Sequence, residues 1–122
     1  MVEKVRAIRG ATQLSEDSVS EIESMTVELM SQVMQQNQLT ADDLISVLFT
    51  ATPDIHANFP AAAARAMGLG QVPLLCATEI DVPGALPLVI RVMAHAYTEL
   101  PASEIKHVYL HGAKALRKDI AQ

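Results

Sequence analysis

The chain has 122 residues, half of them hydrophobic, with a formal net charge of -5 and a single cysteine. That length suits one compact domain over residues 1–122 rather than two. The acidic balance excludes the broad basic surface that nucleic-acid binding needs, and lone Cys76 excludes an internal disulfide or a multi-cysteine zinc site. The two Phe and two Tyr are the only aromatics, so the core has to be aliphatic with methionine filling gaps. A small domain this apolar is expected to bury surface against copies of itself. No run approaches the roughly 18 apolar residues of a membrane span. The charged start Met1-Val2-Glu3-Lys4-Val5-Arg6 is unlike a signal peptide, so no membrane partner is expected and the cytoplasm is the expected address.

In chain order, strand and helix alternate, which predicts α/β architecture with a mixed sheet. Residues 2–9 read as a strand with Val5, Ala7 and Arg9 on one face and Lys4 and Arg6 on the other. Ser15 is expected to cap a helix whose start carries Glu16 and Asp17. Ile22, Met25, Leu29 and Val33, flanked by Val19, Met30 and Met34, then form an apolar stripe to about residue 37. Thr40 to Asp43 has the form of a capping box. Leu44 to Thr50 is apolar on both faces and reads as a central strand. A loop, 51–58, leads to a short Ala-rich helix with Pro60 at its start and Gly68 after its end. Val72 to Ile80 is read as a third strand. Pro83 and Gly84 turn the chain into an expected helix over 85–97. Ile105 to Leu110 is read as a fourth strand, and the tail from Gly112 as a short helical turn.

Three arginines sit in apolar surroundings: Arg9 late in the first strand, Arg65 among alanines, and Arg91 within Leu88-Val89-Ile90-Arg91-Val92-Met93. A buried guanidinium needs an anionic partner. That partner could be a bound anion, a structural carboxylate such as Glu79 or Asp81, or water reached by a snorkelling head group. Cys76 reads as a small core residue, since no base is identifiable to activate it. Tyr109 reads as an anchored aromatic with a polar tip. His107 and His111 lie in a predicted strand, where a spacing of four gives no helical metal pair. Gly68-Leu69-Gly70 is too short for a phosphate loop. These patterns point to an anion site without naming a reaction.

Five ordered segments add more. They are Ile8-Arg9-Gly10-Ala11-Thr12; Ala51-Thr52-Pro53-Asp54-Ile55-His56-Ala57 with Phe59-Pro60; Glu79-Ile80-Asp81-Val82; Ile90-Arg91-Val92-Met93; and His107-Val108-Tyr109-Leu110 with Leu116-Arg117. Together they resemble the αβ-barrel family of chorismate mutases over about residues 5 to 117. The resemblance implies a homotrimer, a pseudo-αβ-barrel with helices outside and three active sites between subunits. It implies rearrangement of chorismate to prephenate without metal or cofactor. By the same resemblance Arg91 contacts the ether oxygen and a carboxylate, Arg9 and Tyr109 hold the side-chain carboxylate, and Glu79 accepts from the ring hydroxyl. Cys76 adds its thiol or backbone N–H, with Leu75 beside it in the substrate-binding set. Phe59 and Arg65 come from the neighbouring subunit, while Leu116 and Arg117 close the pocket. Strand alternation puts Cys76 and Glu79 on opposite faces, so a bulge, a strand end or a backbone contact is required. Ala62 is a departure, because relatives can place a lysine there. Two other readings fit the arginines: an enamine/imine deaminase-like enzyme on a similar trimer, and a non-catalytic anion-binding trimer.

Overall fold

The computed structural model describes residues 2–117. Its elements are β1 (Lys4–Gln13), α1 (Val19–Gln36), β2 (Leu44–Ala51), α2 (Pro60–Ala64), β3 (Leu74–Thr78), β4 (Val89–Thr98) and β5 (Val108–Tyr109), with short 3-10 turns between and after them. One mixed sheet runs in the order β3-β2-β4-β1-β5. β4 pairs antiparallel with β1 and β2, while β3 and β5 add parallel edges.

Period-two alternation divides the sheet into two faces. Ile8, Val47, Phe49, Ile90, Val92 and Ala94 are buried in one core cluster with Ile22, Leu29, Met30 and Val33 of α1 and Ala61 and Ala64 of α2. Each large aliphatic fully withdrawn from water there contributes about 1.5–3 kcal/mol. The other face has no helix over it. Leu48, Leu75, Met93, Tyr97 and Val5 stand exposed on it, beside the half-buried Arg9 and Arg91.

The expected helix over 85–97 is instead strand β4, preceded by Leu88 in a left-handed conformation at φ 55. Its nearly continuous apolar run, with alanines and a proline before it, has the composition of a buried helix. The β-branched Val89, Ile90, Val92 and Thr98 favour the extended form. Two-residue alternation then serves both faces: Ile90, Val92, Ala94 and Ala96 are buried against the helical layer, with Arg91, Met93, His95 and Tyr97 opposite. The helix cap also moves. Ser18, not Ser15, caps α1, accepting from Glu21 N–H at 3.2 Å. Ser15 instead gives its N–H and its hydroxyl to Glu21 Oε1 at 2.9 and 2.7 Å, and these bonds hold the Glu21 carboxyl below its usual range.

Strand limits shift as well. The first strand runs on to Gln13, the third covers only Leu74–Thr78 and the last only Val108–Tyr109. The capping box at Thr40 forms, with Thr40 N–H donating to Asp43 Oδ2 at 2.8 Å. α2 starts at Pro60 and passes into a wider turn over Arg65–Leu69, where Gly68 adopts φ 110.

Gly10 marks the tightest approach of sheet and helix. A Cβ there would meet Val108 O and Val92 Cγ1 at 3.0 Å and Leu29 Cδ1 at 3.1 Å. Gly10→Ala should therefore destabilise the fold by about 1–3 kcal/mol, read as a lower urea midpoint; an unchanged midpoint would show that β5 and α1 yield freely. His107 Nδ1 accepts the Arg9 N–H at 2.9 Å beside that contact. Burial first, and then the Arg9 and Arg117 charges, push the His107 pKa below 6.5. The unfolded chain therefore takes up this proton first, and the contribution of His107 to stability fades as pH falls below about 6.5. Urea midpoints between pH 7.5 and 5 should fall less steeply in His107→Asn than in the parent; equal slopes would remove His107 from the acid response.

Candidate active site

The register across the sheet places five residues at one level of the open face: Ala77 on β3, Thr50 on β2, Arg91 on β4, Ala11 on β1 and Tyr109 on β5. Arg91 thus stands between Thr50 on one side and the small Ala11 on the other. Two residues along, Leu75, Leu48, Met93 and Arg9 form a second row. The result is an open cleft of about 560 Å³ lined by Arg9, Arg91, Tyr109 and Arg117 among Leu48, Thr50, Met93 and His95. A larger hollow of about 790 Å³ lies around Arg6, Tyr97 and Glu99. It mixes exposed charges of both signs and holds none of the expected site residues.

Glu79 follows the end of β3, anchored by its N–H to Ala51 O at 2.9 Å. Its carboxylate is divided. Oε1 accepts from Arg91 Nε at 3.2 Å and Oε2 accepts from Thr50 Oγ1 at 2.8 Å. The Glu79 side chain is 17% exposed and that of Arg91 43%. The guanidinium is thus held from one side and open to the cleft on another. Leu116 stands beside the pair in an adjoining depression of about 380 Å³, which also contains Asp54 and Asp81. Of the two candidate carboxylate partners for Arg91, Glu79 makes the ion pair.

Cys76 packs toward the helical layer, level with Phe49 and Val92, so its thiol turns away from the Arg91 face. Its backbone is placed differently. Alternate residues of a parallel strand bond to the neighbour, and the bond from Glu79 N–H to Ala51 O sets the phase, leaving the Cys76 N–H on the free outer edge of β3. Strand alternation and the strand end thus settle the conflict between Cys76 and Glu79 without a bulge.

Phe59, 66% exposed, shares a separate depression of about 310 Å³ with Cys76. Arg65 is exposed past the end of α2, and Leu75 is 60% exposed on β3. One chain therefore gathers Arg9, Arg91, Glu79, Tyr109, Leu116 and Arg117 around two adjoining hollows, and leaves Phe59, Arg65, Leu75 and Cys76 out of both.

Sequence reasoning missed Thr50, whose place opposite Arg91 depends on a strand register that no local pattern encodes. It also gave no role to the Thr52–Asp54 clasp. Thr52 Oγ1 donates to Asp54 Oδ1 at 2.6 Å, and Asp54 Oδ2 accepts the Leu88 N–H at 3.0 Å. Val89 N–H donates to Thr52 Oγ1 at 3.0 Å. The clasp fixes the start of β4, close to Arg91. Asp17 similarly moors the loop before Phe59, accepting from the His56 and Ala57 N–H groups at 2.9 and 3.0 Å.

Comparison with known proteins gives the family. The family model described as chorismate mutase type I matches residues 5–120. Chorismate mutase AroH of Thermus thermophilus is 44% identical over 117 residues, covering 95% of this chain and 96% of the relative. Chorismate mutase AroH of Bacillus subtilis is 41% identical over 118 residues, covering 96% and 93%. A chorismate mutase structure from Clostridium thermocellum superimposes with a TM-score of 0.89 at 49% identity, covering 90% of this chain and 98% of the other. On the sequence match and the shared fold together, the chain belongs to the chorismate mutase type I family, whose members are isomerases.

Proposed function

We propose that this single domain converts chorismate to prephenate, in the route to phenylalanine and tyrosine, and does so by electrostatic preorganisation in the cytoplasm. The observation that carries this reading is the convergence of Arg9, Arg91, Tyr109 and Arg117 on one cleft of a chain whose net charge is -5. Local cations, not the field of the whole protein, capture the anion.

Chorismate has two carboxylates and a ring hydroxyl. Its rearrangement breaks one carbon–oxygen bond as a carbon–carbon bond forms, with no proton transfer and no covalent intermediate. The site has to fold the ether side chain over the ring and stabilise negative charge growing on the ether oxygen. Arg91 supplies that stabilisation, while Arg9 and Tyr109 hold the side-chain carboxylate. Glu79 accepts from the ring hydroxyl and the Cys76 N–H assists. Leu116 and Arg117 close the cleft.

Phe59, Arg65 and Leu75 do not line the cleft of their own chain, which supports a homotrimer with each site shared between neighbours. The exposed Leu48, Leu75, Met93, Tyr97 and Val5 form the apolar band such an assembly covers. The deaminase-like reading loses its support to the family match, and turnover separates the mutase from a binding protein.

The decisive assay follows chorismate absorbance and identifies prephenate after acid treatment. Arg91→Ala should lower kcat/KM by about 10²–10³-fold or more, equivalent to roughly 3–4 kcal/mol at the transition state. No turnover by the folded parent would overturn the reaction, and an active Arg91→Ala would overturn the role of the cation. Leu48→Lys should reduce the mass seen by light scattering from three chains to one and abolish turnover. A fully active single chain would refute the shared site.

A further inference from the structure

Thr50 stands on β2 directly opposite Arg91, and its neighbours at that level, Ala77 on β3 and Ala11 on β1, carry no donor side chain. Its hydroxyl donates to Glu79 Oε2 at 2.8 Å, while Glu79 Oε1 accepts from Arg91 Nε at 3.2 Å. An arginine and a carboxylate in contact favour two parallel bonds in a fork. Such a grip would bring a terminal guanidinium nitrogen onto Glu79 and remove a donor from the cleft. The Thr50 hydroxyl occupies the second carboxylate oxygen and opposes that rotation.

We infer that Thr50 is a positioning residue, which through Glu79 restricts the carboxylate to Nε of Arg91 and leaves the terminal guanidinium nitrogens to the anionic substrate. This rests on the proposed function. It gives Glu79 two tasks, steering Arg91 and receiving the substrate hydroxyl, and makes the first depend on a neutral side chain from another strand. Thr50 itself touches no reacting atom in this scheme. Losing its hydroxyl should therefore reduce the stabilisation of charge on the ether oxygen more than the capture of the carboxylates.

The test is a double-mutant cycle on chorismate turnover. Thr50→Val should lower kcat about tenfold, as expected for a lost hydrogen bond to a charged group, with KM moving less than about threefold. Thr50→Ser, which restores the hydroxyl, should recover most of the loss. In a Glu79→Gln background, adding Thr50→Val should cost less than about twofold, because the two residues act as one unit. Thr50→Ala replaces the valine variant if the latter does not fold, and thermal midpoints and mass confirm intact protein. Multiplicative losses in the double variant, or a serine variant as impaired as the valine one, would overturn the inference while leaving the parent a mutase. A parent without turnover would overturn the proposed function and this inference with it.

Discussion

A guanidinium on the middle strand of a sheet has to be neutralised enough to be held and left charged enough to work. Arg91 meets both demands because only one of its nitrogens pairs with Glu79, at 3.2 Å. A carboxylate deep in a dry interior would cost several kcal/mol in desolvation unless fully partnered. Glu79 avoids that cost by sitting at the end of β3, with Thr50 and the Ala51 carbonyl fixing it from the neighbouring strand. The sheet register makes that arrangement possible, because it sets Thr50 directly opposite Arg91.

The two faces of the sheet carry different work. The helical face is closed by aliphatic side chains and supplies stability. The open face combines fixed cations with a band of exposed apolar residues, and neither feature is stable alone in water. The central strands carry Arg9, Thr50 and Arg91, and side chains in the loops fix the segments around them. Thr52 and Asp54 hold the entry to β4, and Asp17 holds the approach to Phe59. Backbone N–H groups donate most of these bonds to side-chain oxygens, as most side-chain hydrogen bonds in proteins go to backbone or water.

Much of this was legible in the sequence. The stripe on α1, the capping box at Thr40, the alternation of β1 and the bracketing of α2 by Pro60 and Gly68 each have a local cause, and each appears. The failure at β4 is equally physical. Leu88-Val89-Ile90-Arg91-Val92-Met93 is apolar on every side, so periodicity cannot separate a buried helix from a strand with two covered faces. The displaced cap came from two serines three residues apart: Ser15 is followed at once by Glu16 and Asp17, whereas Ser18 has its acid, Glu21, three residues on. Arg9, Glu79, Arg91 and Tyr109 stand out singly by their surroundings, but their union in one site is read from the resemblance to a family, because convergence from three strands and a strand end leaves no local signature. Thr50 escaped because its importance lies in what stands opposite it.

The pairing of β1 with β5 has a consequence for the life of the chain during synthesis. Arg9 and His107, bonded through backbone and ring, are 98 residues apart, and Tyr109 arrives after both. β1 leaves the ribosome 98 residues ahead of His107, and its Arg9 edge stays unsatisfied until that partner follows. Contacts this distant in sequence form late and slowly. A nascent chain thus carries a cation and an open strand edge but no completed cleft. The cleft is completed only at the moment when these two parts of the fold meet.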